Sequence, residues 1–338
     1  MVRIGGTRIL WALLLSIGLH GYAIGATGDF DMARWDEILN NVRTRAAAQN
    51  ISGKTIDATL ANPKFVPSIV RSDKNQSEFK LTLAQYLDRT VSKSRIVNGK
   101  KMRGTYPTLL NRVDAIYGVP PHVILAFWGM ESNYGAVKSK HKLTDAFFTL
   151  MYDGRRETFF GNQLLALMKI ADDNGLDINN VYGSWAGAMG HFQFIPTTLA
   201  QYGADGNNDG QIDIINSIGD AMYSAGNYLH KLGWNPNERI ARRVLLPADF
   251  DVSVLDGKTK KTVSEWAERG VVNADGTALP NSDMLAGLVG DMAIIDDTRD
   301  PLGRMTAYIT YPNFYRIKKW NNSNWYAIAI AELSDNLK

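Results

Sequence analysis

The stretch from Pro121 to Tyr134 constrains this chain more than any other, because it sets one carboxylate, Glu131, on a strongly apolar helix. Tyr117-Gly118-Val119-Pro120-Pro121 stops the preceding segment, and Pro121 suits a first helical position, where its missing N–H costs nothing. Ile124, Phe127 or Trp128, and Glu131 then fall on one stripe, spaced by three, four and seven. A carboxylate among the bulkiest apolar side chains is desolvated, so its pKa is expected to rise. Such a group is a general acid, of the kind a departing glycosidic oxygen needs. The competing reading is a Glu near a helix end that is solvated or paired with a nearby cation.

The 338 residues are 45% hydrophobic and 21% charged, a globular composition long enough for two or three domains. Formal net charge is +3, and residues 1–26 hold Arg3, Arg8 and no acid, which leaves +1 for the rest. That balance gives no reason to expect nucleic acid. Arg3 and Arg8, the apolar run Ile9 to Leu19, and Ala23 or Ala26 read as a cleaved export signal. The run is short for a membrane span. There is no cysteine, hence no disulfide and no thiol for lipid attachment. A periplasmic protein, not a lipoprotein, is the expectation.

Apolar spacing near 3.6 predicts helices over 30–48, from about 53, and over 77–90, 105–117, 121–134, 157–174, 219–232 and 325–333. Val244-Leu245-Leu246, Val252-Ser253-Val254 and Thr306 to Tyr311 read as short strands, with a short helix over 262–269. The fold class is therefore mainly α, an α+β chain with a small strand-containing insertion near 240–318.

Two further segments carry chemistry. Tyr182 to Thr197 is rich in small residues, at 183, 184, 186, 187, 188 and 190, so a polymer can approach its backbone. Gln193 offers both donor and acceptor to acetamido or hydroxyl groups. A tight helix-packing turn is the alternative. Asp205-Gly206-Asn207-Asn208-Asp209-Gly210-Gln211-Ile212-Asp213 fits the first nine positions of an EF-hand loop. Oxygens fall at positions 1, 3 and 5, the turn glycine at 6, the Gln211 carbonyl at 7 and Asp213 at 9. Position 12 is Asn216, which cannot chelate as a bidentate carboxylate; Asp220 is the better last ligand, in a lengthened loop. One loop without a partner favours structural calcium over signalling, and an Asp/Asn/Gly turn without metal is the alternative. No organic cofactor is expected. His122, His141, His191 and His230 show no metal spacing and read as surface or satisfied histidines.

Glu131-Ser132-Asn133-Tyr134-Gly135, then Gly183 to Gly190, Gln193-Phe194-Ile195-Pro196 and Asn227-Tyr228, in this order, resemble the lytic murein transglycosylase B family. Arg71 to Phe79, with Gln76, Glu78 and Phe79, and Trp320-Asn321-Asn322-Ser323-Asn324-Trp325-Tyr326-Ala327 extend the resemblance over about 30–335. It implies a lysozyme-like core over 116–239, a helical domain over 27–115, a small α+β domain over 240–318 and a C-terminal segment, 319–338, returning to the core. It also implies cleavage between N-acetylmuramic acid and N-acetylglucosamine in peptidoglycan, with a 1,6-anhydro product and Glu131 acting as acid, then base. Ser184, Met189, Gln193, Tyr228, Asn321 and Tyr326 carry over as substrate contacts. Arg155 and Arg156 match a paired-arginine motif that could meet acidic groups of the stem peptide; a solvated surface pair is the alternative. The family also has a lengthened loop at 205–220, one residue shorter than this one. The implied partners are glycan strands and cell-wall synthesis enzymes, for a monomer. A hydrolytic muramidase would need a second acid near Glu131, and a silent binding protein would lack the acid.

Overall fold

Prolines open five helices in the computed structural model, which describes residues 30–75, 81–137, 139–291 and 300–338. The expected export signal, and Gln76, Glu78 and Phe79, lie outside the described residues. In chain order the elements are α1 (Met32–Ala48), α2 (Gly53–Leu60), α3 (Pro67–Lys74), α4 (Leu83–Thr90), α5 (Lys93–Thr105), α6 (Pro107–Tyr117), α7 (Pro121–Ser132), β1 (His141–Lys142), α8 (Leu143–Asp153), α9 (Glu157–Asp173), β2 (Tyr182–Gly183), α10 (Pro196–Tyr202) and α11 (Ile218–Lys231). There follow β3 (Ala241–Leu246), β4 (Lys261–Thr262), α12 (Val263–Glu268), β5 (Val272–Asn273), β6 (Leu285–Val289), β7 (Met305–Thr310), α13 (Pro312–Trp320) and α14 (Asn324–Asn336). The mainly helical α+β class is as expected.

The described residues divide into two compact units. The larger draws on residues 30–75, 90–137, 139–236 and 332–338 and is helical apart from the β1–β2 pair. Its centre is α7, which packs against α5, α6 and α11. Every residue from Val123 to Ser132 is buried. The sequence suggested one apolar stripe; the helix is instead covered all round, as its near-unbroken apolar run permits.

The smaller unit draws on Leu81–Arg89 and Asn237–Ala331. Its antiparallel sheet has the order β4-β6-β7-β3-β5. Val244 faces Ala307, Leu246 faces Met305 and Leu288 faces Ile309, so alternate residues build one buried face. Trp266 of α12 completes this core, its indole N–H donating to the Ala286 carbonyl at 2.9 Å. A reciprocal Thr262–Glu265 capping box starts α12.

Val252–Val254, expected as a strand, is a single 3₁₀ turn. Asp251 accepts the Ser253 N–H at 3.0 Å, and this local side-chain bond outcompetes the β preference of two valines. The helix expected from Ser77 is described from Leu83. Thr82 and Gln85 exchange backbone-to-side-chain bonds there, at 3.2 Å each, which fixes the start.

Candidate active site

Glu131 occupies the last turn of α7 and is 3% exposed. The chain leaves that turn through three successive left-handed residues, Asn133 (φ 49°), Tyr134 (φ 60°) and Gly135 (φ 80°). Asn133 is an accepted residue for such a helix end. Tyr134 is not, and a bulky side chain there costs about 1–2 kcal/mol. Its hydroxyl offsets this by donating to the Arg95 carbonyl at 3.0 Å, while its ring lies against the bare backbone of Gly129. A Cβ on Gly129 would stand 2.7 Å from the Tyr134 hydroxyl oxygen and 2.8 Å from Cζ. The order Gly129, Glu131, Asn133, Tyr134 is thus a single structural device that ends the helix immediately after the acid. The Ser132 hydroxyl accepts the Gly135 N–H at 2.9 Å and donates to the His191 carbonyl at 2.7 Å.

The small-residue segment folds as two tight turns. The Ser184 N–H donates to the Ala188 carbonyl at 2.7 Å, and the Ser184 hydroxyl accepts the Ala188 N–H at 3.0 Å. Met189 then pairs with Phe194, and the Gln193 amide donates to the Gly190 carbonyl at 2.9 Å. Gly190 has φ 71°, and a Cβ there would meet the Ile214 carbonyl oxygen at 2.6 Å. The small residues therefore serve close backbone packing. Met189 is buried, whereas Ser184 and Gln193 are part-exposed.

Tyr228 of α11 stacks on Tyr202 with ring centroids 4.5 Å apart and lies 6.0 Å from Phe194. Burial, and then the neighbouring Tyr202 phenol, push its hydroxyl up to about 12, so it stays a neutral donor. Glu131, Ser184, Met189, Gln193 and Tyr228 all belong to the helical unit, and Asn321 and Tyr326 to the smaller one. Tyr326 is buried, and the Asn321 side-chain oxygen is buried without a hydrogen-bond partner among the described residues.

Arg155 and Arg156 follow α8 and both bind Asp73 of α3, Arg156 at 2.6 Å. Arg155 also meets Asp153 at 3.0 Å, and Lys74 meets the same carboxylate at 3.3 Å. Sequence reasoning missed Asp73, which lies 82 residues from Arg155 with no local signal to mark it. It also missed the bond from Trp128 Nε1 to His191 Nδ1, 3.1 Å. A histidine inside the small-residue segment was the one available cue.

The Asp-rich loop turns on Gly210, at φ 84°. Asp205 accepts the N–H groups of Asn208 and Gly210, at 2.6 and 2.8 Å. These amides, Gly210 foremost, hold its carboxyl below the usual range. Asn207 Oδ1 accepts from the Asp209 N–H, and Asp209 accepts from the Gln211 N–H. Asp220, fully buried on α11, accepts from Gly206 at 2.9 Å and from Asp213 at 2.8 Å and so braces both ends of the loop. Asn216 bonds back to Asp213. Among the described residues no three His, Asp or Glu side chains converge on one point. Hard oxygen donors on a glycine-centred turn nonetheless suit a hard divalent cation.

Residues 34–335 match the family described as transglycosylase SLT domain. The chain is 31% identical over 261 residues to membrane-bound lytic murein transglycosylase B of Escherichia coli strain K12, a match that spans 74% of this chain and 65% of that protein. It thus spans a little under two thirds of that curated relative. SltB3 from Pseudomonas aeruginosa, solved in complex with NAG-anhNAM-pentapeptide, superposes with a TM-score of 0.83 at 35% identity, over 90% of this chain and 79% of that one. The Escherichia coli lytic transglycosylase Slt35, solved in complex with calcium, superposes with a TM-score of 0.75 at 28% identity, over 92% and 94%. With nearly its whole length matched by family and by fold, the chain belongs to the transglycosylase SLT domain family.

Proposed function

We propose that this protein is a lytic transglycosylase that cleaves peptidoglycan between N-acetylmuramic acid and N-acetylglucosamine and leaves 1,6-anhydro-muramic ends. The observation that carries the reading is Glu131, a buried carboxylate ending the core helix of a chain matched to this family over 34–335. In the proposed step Glu131 gives its proton to the leaving glycosidic oxygen as the C1–O bond breaks. The substrate's 2-acetamido oxygen stabilises the positive C1. Glu131, now the base, takes the proton of the C6 hydroxyl as that oxygen bonds to C1. The proton count closes without water, and internal attack replaces a second carboxylate.

A further observation favours this over hydrolysis. Among the described residues of the helical unit, Asp73, Asp153 and Asp220 also have buried carboxylates, engaged by two guanidinium groups, by Lys74 and Arg155, and by two backbone amides. Ser184, Met189, Gln193, Tyr228, Asn321 and Tyr326 are the proposed sugar contacts. Arg155 and Arg156, part-exposed while held by Asp73, are the proposed contacts to stem-peptide acids.

Calcium is proposed for the loop 205–220, with oxygens of Asp205, Asn207 and Asp209 and the Gln211 carbonyl as donors and Asp220 as brace or last ligand. The Gly210 turn and the calcium complex of Slt35 support this. When bound, the ion would join the loop's two ends. Periplasmic action after export is the matching location. No helix of the described residues is long and apolar enough to cross a membrane.

The test is mass spectrometry of products released from purified peptidoglycan. Anhydro-muramic ends that resist borohydride reduction are expected. Reducible ends would make water the acceptor, and no release by folded protein would favour a binding role.

A further inference from the structure

His191 is gripped from both sides of Glu131. Three positions before the acid, Trp128 Nε1–H donates to His191 Nδ1 at 3.1 Å; one position after it, the Ser132 hydroxyl donates to the His191 carbonyl at 2.7 Å. The backbone N–H of His191 in turn donates to the Ile214 carbonyl at 3.3 Å, near the end of the Asp-rich loop. The two rings meet edge-to-face, centroids 5.6 Å apart.

The chemistry of this contact is one-directional. An indole nitrogen only donates, so Nδ1 must offer its lone pair, and the imidazole is held as the tautomer protonated at Nε2. Trp128 and Ser132 bracket the last turn of α7, so pinning both to a single facing residue fixes the helix rotation there. The direction in which Glu131 projects follows. At this helix end backbone N–H groups close on the last carbonyls, Asn133 on Trp128 and Gly129 and Tyr134 on Trp128 at 3.3 Å. Side-chain ties to residue 191 therefore add an orientation that the helix end does not supply by itself.

We infer that His191 is a positioning residue, which aims Glu131 through Trp128 and Ser132 and anchors that turn to the Asp-rich loop at Ile214. The inference rests on Glu131 being the acid. A proton donor must sit within hydrogen-bond reach of the leaving oxygen, and a displacement of about 1 Å costs up to roughly a hundredfold in rate.

Full-length wild type, Trp128→Phe, His191→Leu, His191→Asn and Glu131→Gln are compared for kcat and KM on soluble glycan strands, with thermal melts alongside. Asparagine places an amide oxygen near the position of Nδ1; leucine places no acceptor there. His191→Leu and Trp128→Phe should lose roughly ten- to hundredfold in kcat with KM changed less than about twofold, while His191→Asn stays within about threefold of wild type. Folded His191→Leu at wild-type kcat, equal losses in His191→Asn and His191→Leu, or losses confined to KM would overturn the inference. If His191→Leu does not fold, Trp128→Phe against wild type decides. Near-normal turnover by Glu131→Gln would instead remove the acid reading itself. A dead Glu131→Gln beside fully active His191→Leu and Trp128→Phe would remove only the positioning role.

Discussion

Asp73 holds Arg155 and Arg156 together, one carboxylate oxygen to each guanidinium. The Asp73 side chain is 3% exposed while the arginines are 48% and 32% exposed, so the cluster is buried at its Asp73 end and open to water at the arginines. Removing the acid leaves two cations that water can still reach, which moderates the loss. Asp73→Asn should lower stability by about 1–3 kcal/mol, read as a shift in the urea midpoint at unchanged slope. An unchanged midpoint would show that the arginines find other partners at no cost.

Gly129→Ala tests the device that ends α7. The added methyl would overlap the Tyr134 ring, which is itself held by the bond to the Arg95 carbonyl. Overpacking of this kind costs about 1–3 kcal/mol. Activity should fall as well, because the displaced turn carries Glu131. Wild-type melting and turnover in this variant would contradict the packing described.

His122 supplies a pH dependence of stability. Burial first, then the positive charges of Lys338 and Arg103, push its imidazole down to about 4, with Asp335 opposing. Between the ordinary value near 6.5 and about 4, the unfolded chain binds the proton that the folded chain refuses. The stabilisation is complete above pH 6.5 and is lost as the pH falls towards 4. With partial exposure allowed for, it is on the order of 1–2 kcal/mol. Denaturant titrations at pH 7 and 4.5 should show His122→Gln losing less stability on acidification than wild type.

The Asp-rich loop separates two roles that one melting experiment can read. Calcium at a hundredfold over its Kd should add about 2.7 kcal/mol, reversed by chelator. Asp209→Asn should abolish that increment while leaving the chelated protein unchanged. Asp220→Asn should lower the melting temperature with or without the ion, since Asp220 joins Gly206 to Asp213 directly. No response of wild type to calcium would remove the metal proposal.

Much of the helical unit was legible because Pro121, the 3.6-residue spacing and the apolar content of 121–132 all point one way. The burial of Glu131 could be read for the same reason. Legibility failed where a local side-chain bond decided the backbone, as at Asp251, or where long-range pairing did. β6 (Leu285–Val289) went unread: its Gly287 weakens any strand signal, and its place is set by pairing with β7 some twenty residues on. Asp73 could not be assigned at all, since nothing around it announces two arginines from a distant turn. The His191–Trp128 bond depends on how two segments meet, which periodicity does not encode.

The bond from the Leu83 N–H to Asp291, 2.7 Å long, joins residues 208 apart within the smaller unit. Anyone dissecting this protein into fragments would cut near residue 237, just before β3 and the five-stranded sheet. That cut strands α4 on the wrong piece and bares the buried Leu83. The ribosome meets the same order: a helix made early must wait, unpartnered, for a strand unit completed more than two hundred residues later. Grafting or truncating the strand unit therefore calls for carrying residues 81–89 along with it.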